Sequence, residues 1–147
     1  MVDSNEYPVS SVRACLNVAI VLWAMLAAGC GQKSVYPVRG QIVDAAGNPI
    51  AGLKGGAVEF ESVDVKSSAN GSIDEQGNFR LTTSSPGDGA HVGKQRVAIT
   101  RPYFGPERPA PFVIDPKYEK FETSGLEAVV EPKENVIQFK VELFKGG

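Results

Sequence analysis

Alternation with a period of two runs through this chain in short, repeatedly interrupted segments. In "NVIQFKVELF" (135–144), Ile137, Phe139, Val141 and Leu143 fall on one side. In "YPVRGQIVD" (36–44), Val38, Gly40 and Ile42 share a side, with Arg39 and Gln41 on the other. Successive side chains of a strand point to opposite faces, so this is the pattern of half-buried strands; a helix needs apolar residues every three to four. "GAVEFESV" (56–63) puts Val58 and Phe60 inward against Glu59 and Glu61, and "KQRVAITR" (94–101) puts Val97 and Ile99 inward. Gly40, in the apolar row of its strand, implies close approach by a neighbouring backbone or side chain.

Turn chemistry separates these segments. "AAGNPIAG" (45–52) and "SSPGDGAHVG" (84–93) are loops. "SSANGSIDEQGNFRLTT" (67–83) reads as a hairpin, with a turn over Asp74 to Asn78 and with Phe79, Leu81 and Thr83 on one face. "LEAVVE" (126–131) and "NVIQFKVELF" read as a second hairpin around "PKEN". Five prolines between Pro102 and Pro116 exclude a central strand there and predict a long connection. "KYEKFETSGLE" (117–127) leaves room for one irregular turn, and no heptad or ten-residue helical pattern appears. About seven short strands with closely spaced turns predict an all-β fold, a single seven-stranded β-sandwich of immunoglobulin-like type. It lacks the Cys…Trp…Cys set of true immunoglobulin domains, since Trp23, the only tryptophan, lies far upstream.

The N-terminal text differs. From Cys15 to Ala28 it reads "CLNVAIVLWAMLAA", apolar but for Asn17 and without charge. Fourteen residues in a helix cover about 21 Å, short of a bilayer core of about 30 Å. That length, with Arg13 ahead and Ala27, Ala28 and Gly29 behind, is that of a secretory signal-peptide helix. "LAAGC" resembles the lipobox of bacterial lipoproteins. The resemblance implies that Cys30 is lipidated and becomes the first mature residue. Residues 1–29 are then signal peptide, 30–34 the lipidated cysteine and a short tether, and 35–147 the β-domain. An uncleaved anchor and a plain secretory signal are the alternatives. All three place the protein outside the cytoplasm, and the first makes it a membrane-anchored lipoprotein on the periplasmic face or the cell surface. Cys15 would leave with the signal, so the mature domain has no internal disulfide.

Three phrases resemble carboxypeptidase regulatory-like domains: "YPVRGQIVDAAGNPIAG", "GSIDEQGNFRLTT" and "PGDGAHVGKQRVAIT". Val38, Gly40 and Ile42 match the family's strand; Gly47, Pro49, Ile50 and Gly52 its turn; Asp74, Gly77, Phe79 and Leu81 its hairpin. "KYEKFETSGLEAVVE" further resembles the end of small bacterial surface lipoproteins built on this domain. The resemblance implies a transthyretin-like sandwich without catalytic residues of its own. "AGLKGGAVEF" is longer than the family's usual link, which implies a bulged or displaced second strand.

Chemistry is sparse. A net charge of −2 recruits no nucleic acid by counterion release. His91, the only histidine, excludes a multi-histidine zinc site. "PGDGAHVG" lacks the G-K-[ST] ending of a phosphate-binding loop, and "DEQGN" lacks the alternating acids of a calcium loop. No metal and no cofactor is expected. "RPYFGPERPAPF" (101–112) is the most promising surface: Tyr103, Phe104 and Phe112, with Arg101 and Arg108, would present aromatic platforms to a protein or polysaccharide, or pack over one end of the core. The expectation is therefore a non-catalytic, lipid-anchored envelope protein that binds or supports a partner. The alternative is an envelope hydrolase using Asp88, Ser85, Thr123 and Ser124.

Overall fold

A computed structural model describes residues 34–108 and 110–145. The expected signal segment, Cys30 and the tether up to Lys33 lie outside the described residues. The domain is mostly β: β1 Val35–Tyr36, β2 Val38–Val43, β3 Ala57–Ser62, β4 Ser68–Ser72, β5 Asn78–Arg80, β6 Ala90–His91, β7 Gly93–Thr100, β8 Leu126–Val130 and β9 Asn135–Lys140. Short 3₁₀ turns cover Ala51–Leu53 and Pro116–Glu119, and one α-helical turn, α1, covers Phe121–Ser124.

The strands form three sheets, ordered β5-β2-β9, β4-β3-β7-β8 and β1-β6. Neighbours are antiparallel except β2 and β9, which run parallel from Val38↔Asn135 to Val43↔Lys140. The two larger sheets share one core. Phe60 on β3 meets Phe79 on β5 and Phe139 on β9, with ring centroids 6.3 and 6.0 Å apart. Phe79 and Phe139 lie nearly parallel at 6.3 Å. Ile42, Leu53, Val58, Leu81, Val97 and Ile99 fill the space around the rings, all with no exposure. β7 is buried more fully than simple alternation allows: Ala98 is covered as well as Val97 and Ile99. The α1 turn packs against this strand, where the Ser124 hydroxyl donates to the Val97 carbonyl at 2.5 Å.

The expected inward residues of β2, β3 and β7 are where alternation put them, and Gly40 has the predicted close neighbours. An added Cβ there would stand 2.5 Å from Phe79 Cζ and would overlap the Ile137 carbonyl oxygen.

Both expected hairpins are corrected. The two arms of the first share only the bridge Asn70↔Thr82, beyond the end of β5; β4 pairs with β3 and β5 with β2. The turn at Asp74–Asn78 is therefore a corner between sheets, and each arm finds a better ladder elsewhere. β8 pairs with β7 and β9 with β2, so "PKEN" also carries the chain from one sheet to the other. Buried Asn135 holds that crossing. Its Oδ1 accepts from Glu131 N at 2.9 Å, and its Nδ2 donates to the carbonyls of Lys133 at 2.7 Å and Glu131 at 3.1 Å. The stripe on β9 also ends early: Val141 is buried, but Leu143 is 49% exposed.

Two turns are copies of one device, "DAAGN" (44–48) and "DEQGN" (74–78). In each, the aspartate Oδ1 accepts from the backbone N–H groups two and four residues on, all at 2.8 Å. The asparagine side chain donates to the other carboxylate oxygen. Gly47 and Gly77 take the left-handed backbone that closes the loop, at φ +90° and +77°.

Candidate functional site

The chain leaves β7 at Arg101, whose guanidinium is engaged on three sides. Nη1 donates to the Ala110 carbonyl at 2.9 Å, Nε pairs with Glu119 Oε1 at 2.7 Å, and Cζ lies 3.6 Å from the centre of the Phe112 ring. A planar, always charged guanidinium suits such a joint, donating at its edge while stacking on its face. Arg101 thus ties both ends of the proline-rich connection to the 3₁₀ turn that carries Glu119. Phe112 in turn contacts Phe144, with centroids 5.4 Å apart.

Arg101 and Phe112 are therefore brought together, in a packed joint. Tyr103 and Phe104 project outward, 79% and 61% exposed. Arg108 is exposed on a bend closed by its own N–H donating to the Gly105 carbonyl. Tyr103 borders a hollow of about 380 Å³ together with Arg101, Pro106 and Glu119. Below the connection, Ala110 and Ile114 are buried in the core. The stretch divides: Ala110 and Ile114 pack over the core, Phe112 joins Arg101, and Tyr103 and Phe104 face outward.

Leu143 and Phe144 belong to this end of the molecule and were not legible as surface residues. Leu143 bridges Ile114 and, with Phe144, Glu142 and Asp115, lines a second open hollow of about 590 Å³. Both residues follow an alternating strand whose pairing with β2 ends at Lys140; beyond it the chain bonds Ile114 and Val113 instead. The sequence carries no turn signal there.

The other candidates occupy structural positions. The Asp88 carboxylate accepts from the backbone N–H groups of Thr83, Ser84 and Ser85 at 2.7, 3.0 and 2.8 Å. These bonds, led by that from Thr83, lower its pKa. The amides of that Gly-rich loop thus point at the loop's own aspartate rather than at an outside anion. Thr123 Oγ1 donates to the Lys117 carbonyl, and the buried Ser124 hydroxyl spans Val97 O and Leu126 N. Asp88 and Ser85 lie in one loop, Thr123 and Ser124 in the α1 turn. His91 sits half-buried in β6, and Glu61 pairs with Arg96 on the outer face of its sheet. Among the described residues, no group of three or more His, Cys, Asp or Glu could hold a metal ion, and no helix is long and apolar enough to cross a membrane.

No family model, curated protein or solved structure matches the chain.

Proposed function

We propose that this chain is a non-catalytic, lipid-anchored protein of the cell envelope. Its domain, in this reading a seven-stranded transthyretin-like sandwich of the carboxypeptidase regulatory-like kind, binds or supports an envelope protein or polysaccharide. The apolar run ending in "LAAGC" supports the anchor. Four plus three strands around one aromatic core support the sandwich.

The observation that carries the binding role is the uncovered aromatic end. Single exposed apolar residues are ordinary on any surface. Here Tyr103 and Phe104 stand 79% and 61% exposed on a connection that Arg101 pins from beneath, and Phe112 and Phe144 lie together at its far end, 39% and 42% exposed. Rings held on a fixed base lose little entropy on binding, which is the economy of pre-organised surfaces.

Affinity capture from envelope extracts tests this, comparing the full chain with Tyr103→Ala, Phe104→Ala and Phe112→Ala combined. Recovery of the specific partner should fall at least about tenfold, equivalent to about 1.4 kcal/mol. Unchanged recovery would remove the aromatic end from the proposal. For the anchor, mass spectrometry of the mature N-terminus should show an acylated Cys30, lost in Cys30→Ala. An acylated species persisting in that variant would disprove the assignment.

A further inference from the structure

The outer face of the β5-β2-β9 sheet carries a second surface, made of two rows of side chains. Register places Arg39 on β2 opposite Arg80 on β5 and beside Val136 on β9. Two residues along, Gln41 stands opposite Asn78 and beside Gln138. These rows line an open groove of about 610 Å³. Like charges directly opposite on paired strands are destabilising, so folding alone gives no reason for the arginine pair.

Neither arginine is committed. Arg39 pairs with Glu134 at 2.9 Å, but both side chains are more than half exposed, 56% and 55%, and such pairs are weak. The Arg80 side chain makes no hydrogen bond or ion pair among the described residues. Its stem and head lie beside Gly87, where an added Cβ would stand 3.1 Å from Cδ and 3.6 Å from Nη1. The amides, by contrast, are already oriented: Gln138 Nε2 donates to Gln41 Oε1 at 3.5 Å, and Gln41 Nε2 donates to the Gln76 carbonyl at 2.9 Å. Asp74, the carboxylate that borders the groove, is held by N–H groups of its own turn.

We propose that this groove binds a carboxylated glycan, a chain of uronate sugars. Two guanidinium forks stand on cross-strand neighbours of one sheet face, the pairing that grips a planar carboxylate from both sides once both side chains turn onto it. The Asn78–Gln41–Gln138 row supplies donors and acceptors to hydroxyl groups. Val136, 69% exposed, offers an apolar patch to the C–H face of a sugar ring. The groove is open along the sheet, as a polymer needs, and its volume falls in the ordinary range for small ligands, about 300–1,000 Å³.

The test is fluorescence anisotropy with labelled oligogalacturonate, using the full 147-residue chain in non-ionic detergent and a neutral maltooligosaccharide as the counter-ligand. Oligogalacturonate should bind and the neutral oligomer should not. Arg39→Gln/Arg80→Gln should weaken binding at least about tenfold while retaining the wild-type melting temperature or exceeding it, since a like-charge contact is removed. Glu134→Gln, which frees Arg39, should tighten binding about two- to fivefold. Glu61→Gln, with the same change in net charge on the other large sheet, should not. Equal affinity for the neutral oligomer, an unaffected double variant, or equal gains in Glu134→Gln and Glu61→Gln would overturn the proposal. Competition by inorganic phosphate as strong as by free galacturonate would overturn the carboxylate assignment. The triple aromatic variant should bind oligogalacturonate like the wild type, so this groove and the aromatic end can fail separately.

Discussion

Replacing Gly40 by alanine tests how tightly β2 is packed against β5 and β9, its neighbours in the sheet. A methyl group there would stand 2.5 Å from Phe79 Cζ and 2.8 Å from Cε1, and would overlap the Ile137 carbonyl oxygen. Carbon atoms at rest sit about 3.5–4.0 Å apart, so the ring would have to withdraw by about 1 Å and β9 would have to shift as well. Neither is free to do so. Phe79 is 4% exposed and stacks near both Phe60 and Phe139, and β9 is paired to β2 along its whole length. Overpacking costs about 1–3 kcal/mol, and a clash with backbone as well as a ring belongs at the top of that range. The lower entropy of the unfolded alanine chain returns about 0.4–1 kcal/mol. The net loss is about 2–3 kcal/mol, a fall in Tm of about 8–12 °C for a domain of this size. Urea unfolding followed by circular dichroism measures it, since Trp23, the only tryptophan, lies outside the β-domain. The midpoint should fall with the slope unchanged. Gly47→Ala is the control: its Cβ meets nothing within 4 Å, and only backbone strain at φ +90° opposes it, about 1 kcal/mol. A Gly40→Ala loss below about 0.5 kcal/mol, or no larger than that of Gly47→Ala, would refute the packing argument. Adding Phe79→Leu should relieve only part of the strain, because the Ile137 carbonyl remains in place.

Asn135→Ala should destabilise the domain by about 1–2 kcal/mol, since it removes the buried amide that bonds the Glu131 N–H and the Glu131 and Lys133 carbonyls; an unchanged urea midpoint would show that water replaces the amide. Arg101→Gln should cost about 1–2 kcal/mol, because its side chain, 28% exposed, gives up Glu119 and the Phe112 face. It should also speed amide exchange across 102–112 relative to the sheets, and uniform exchange would contradict its role as the joint. Asp44, Asp74 and Asp88 have lowered pKa values, caused first by the Asn48 N–H, the Asn78 side chain and the Thr83 N–H respectively. A carboxylate with a lowered folded pKa contributes stability that is present above its unfolded value, 3.8 here, and is lost as pH falls through the folded value. Wild-type urea midpoints should therefore drop below about pH 4. The triple variant Asp44→Asn/Asp74→Asn/Asp88→Asn should start lower at neutral pH and show a shallower drop; parallel curves would refute the linkage.

The sequence by itself determined the local geometry. Alternation placed Val58, Phe60, Val97 and Ile99 inward, because side chains in a strand must alternate and only one face of each avoids water. Gly40 announced a close approach, and the prolines after Pro102 ruled out a strand. Tertiary structure decided who pairs with whom. Period two says which way a residue faces and nothing about which strand lies beside it, so "DEQGN" and "PKEN" looked like hairpin turns and are corners between sheets. The same blindness hid the Arg39–Arg80 row, whose members are forty-one positions apart and meet only through the register of β2 with β5. It also hid Phe144, which lies past the end of pairing with β2 at Lys140 and bonds Val113 instead. Contacts between distant segments are selected by the packing free energy of the whole core, and no local window of sequence contains that sum.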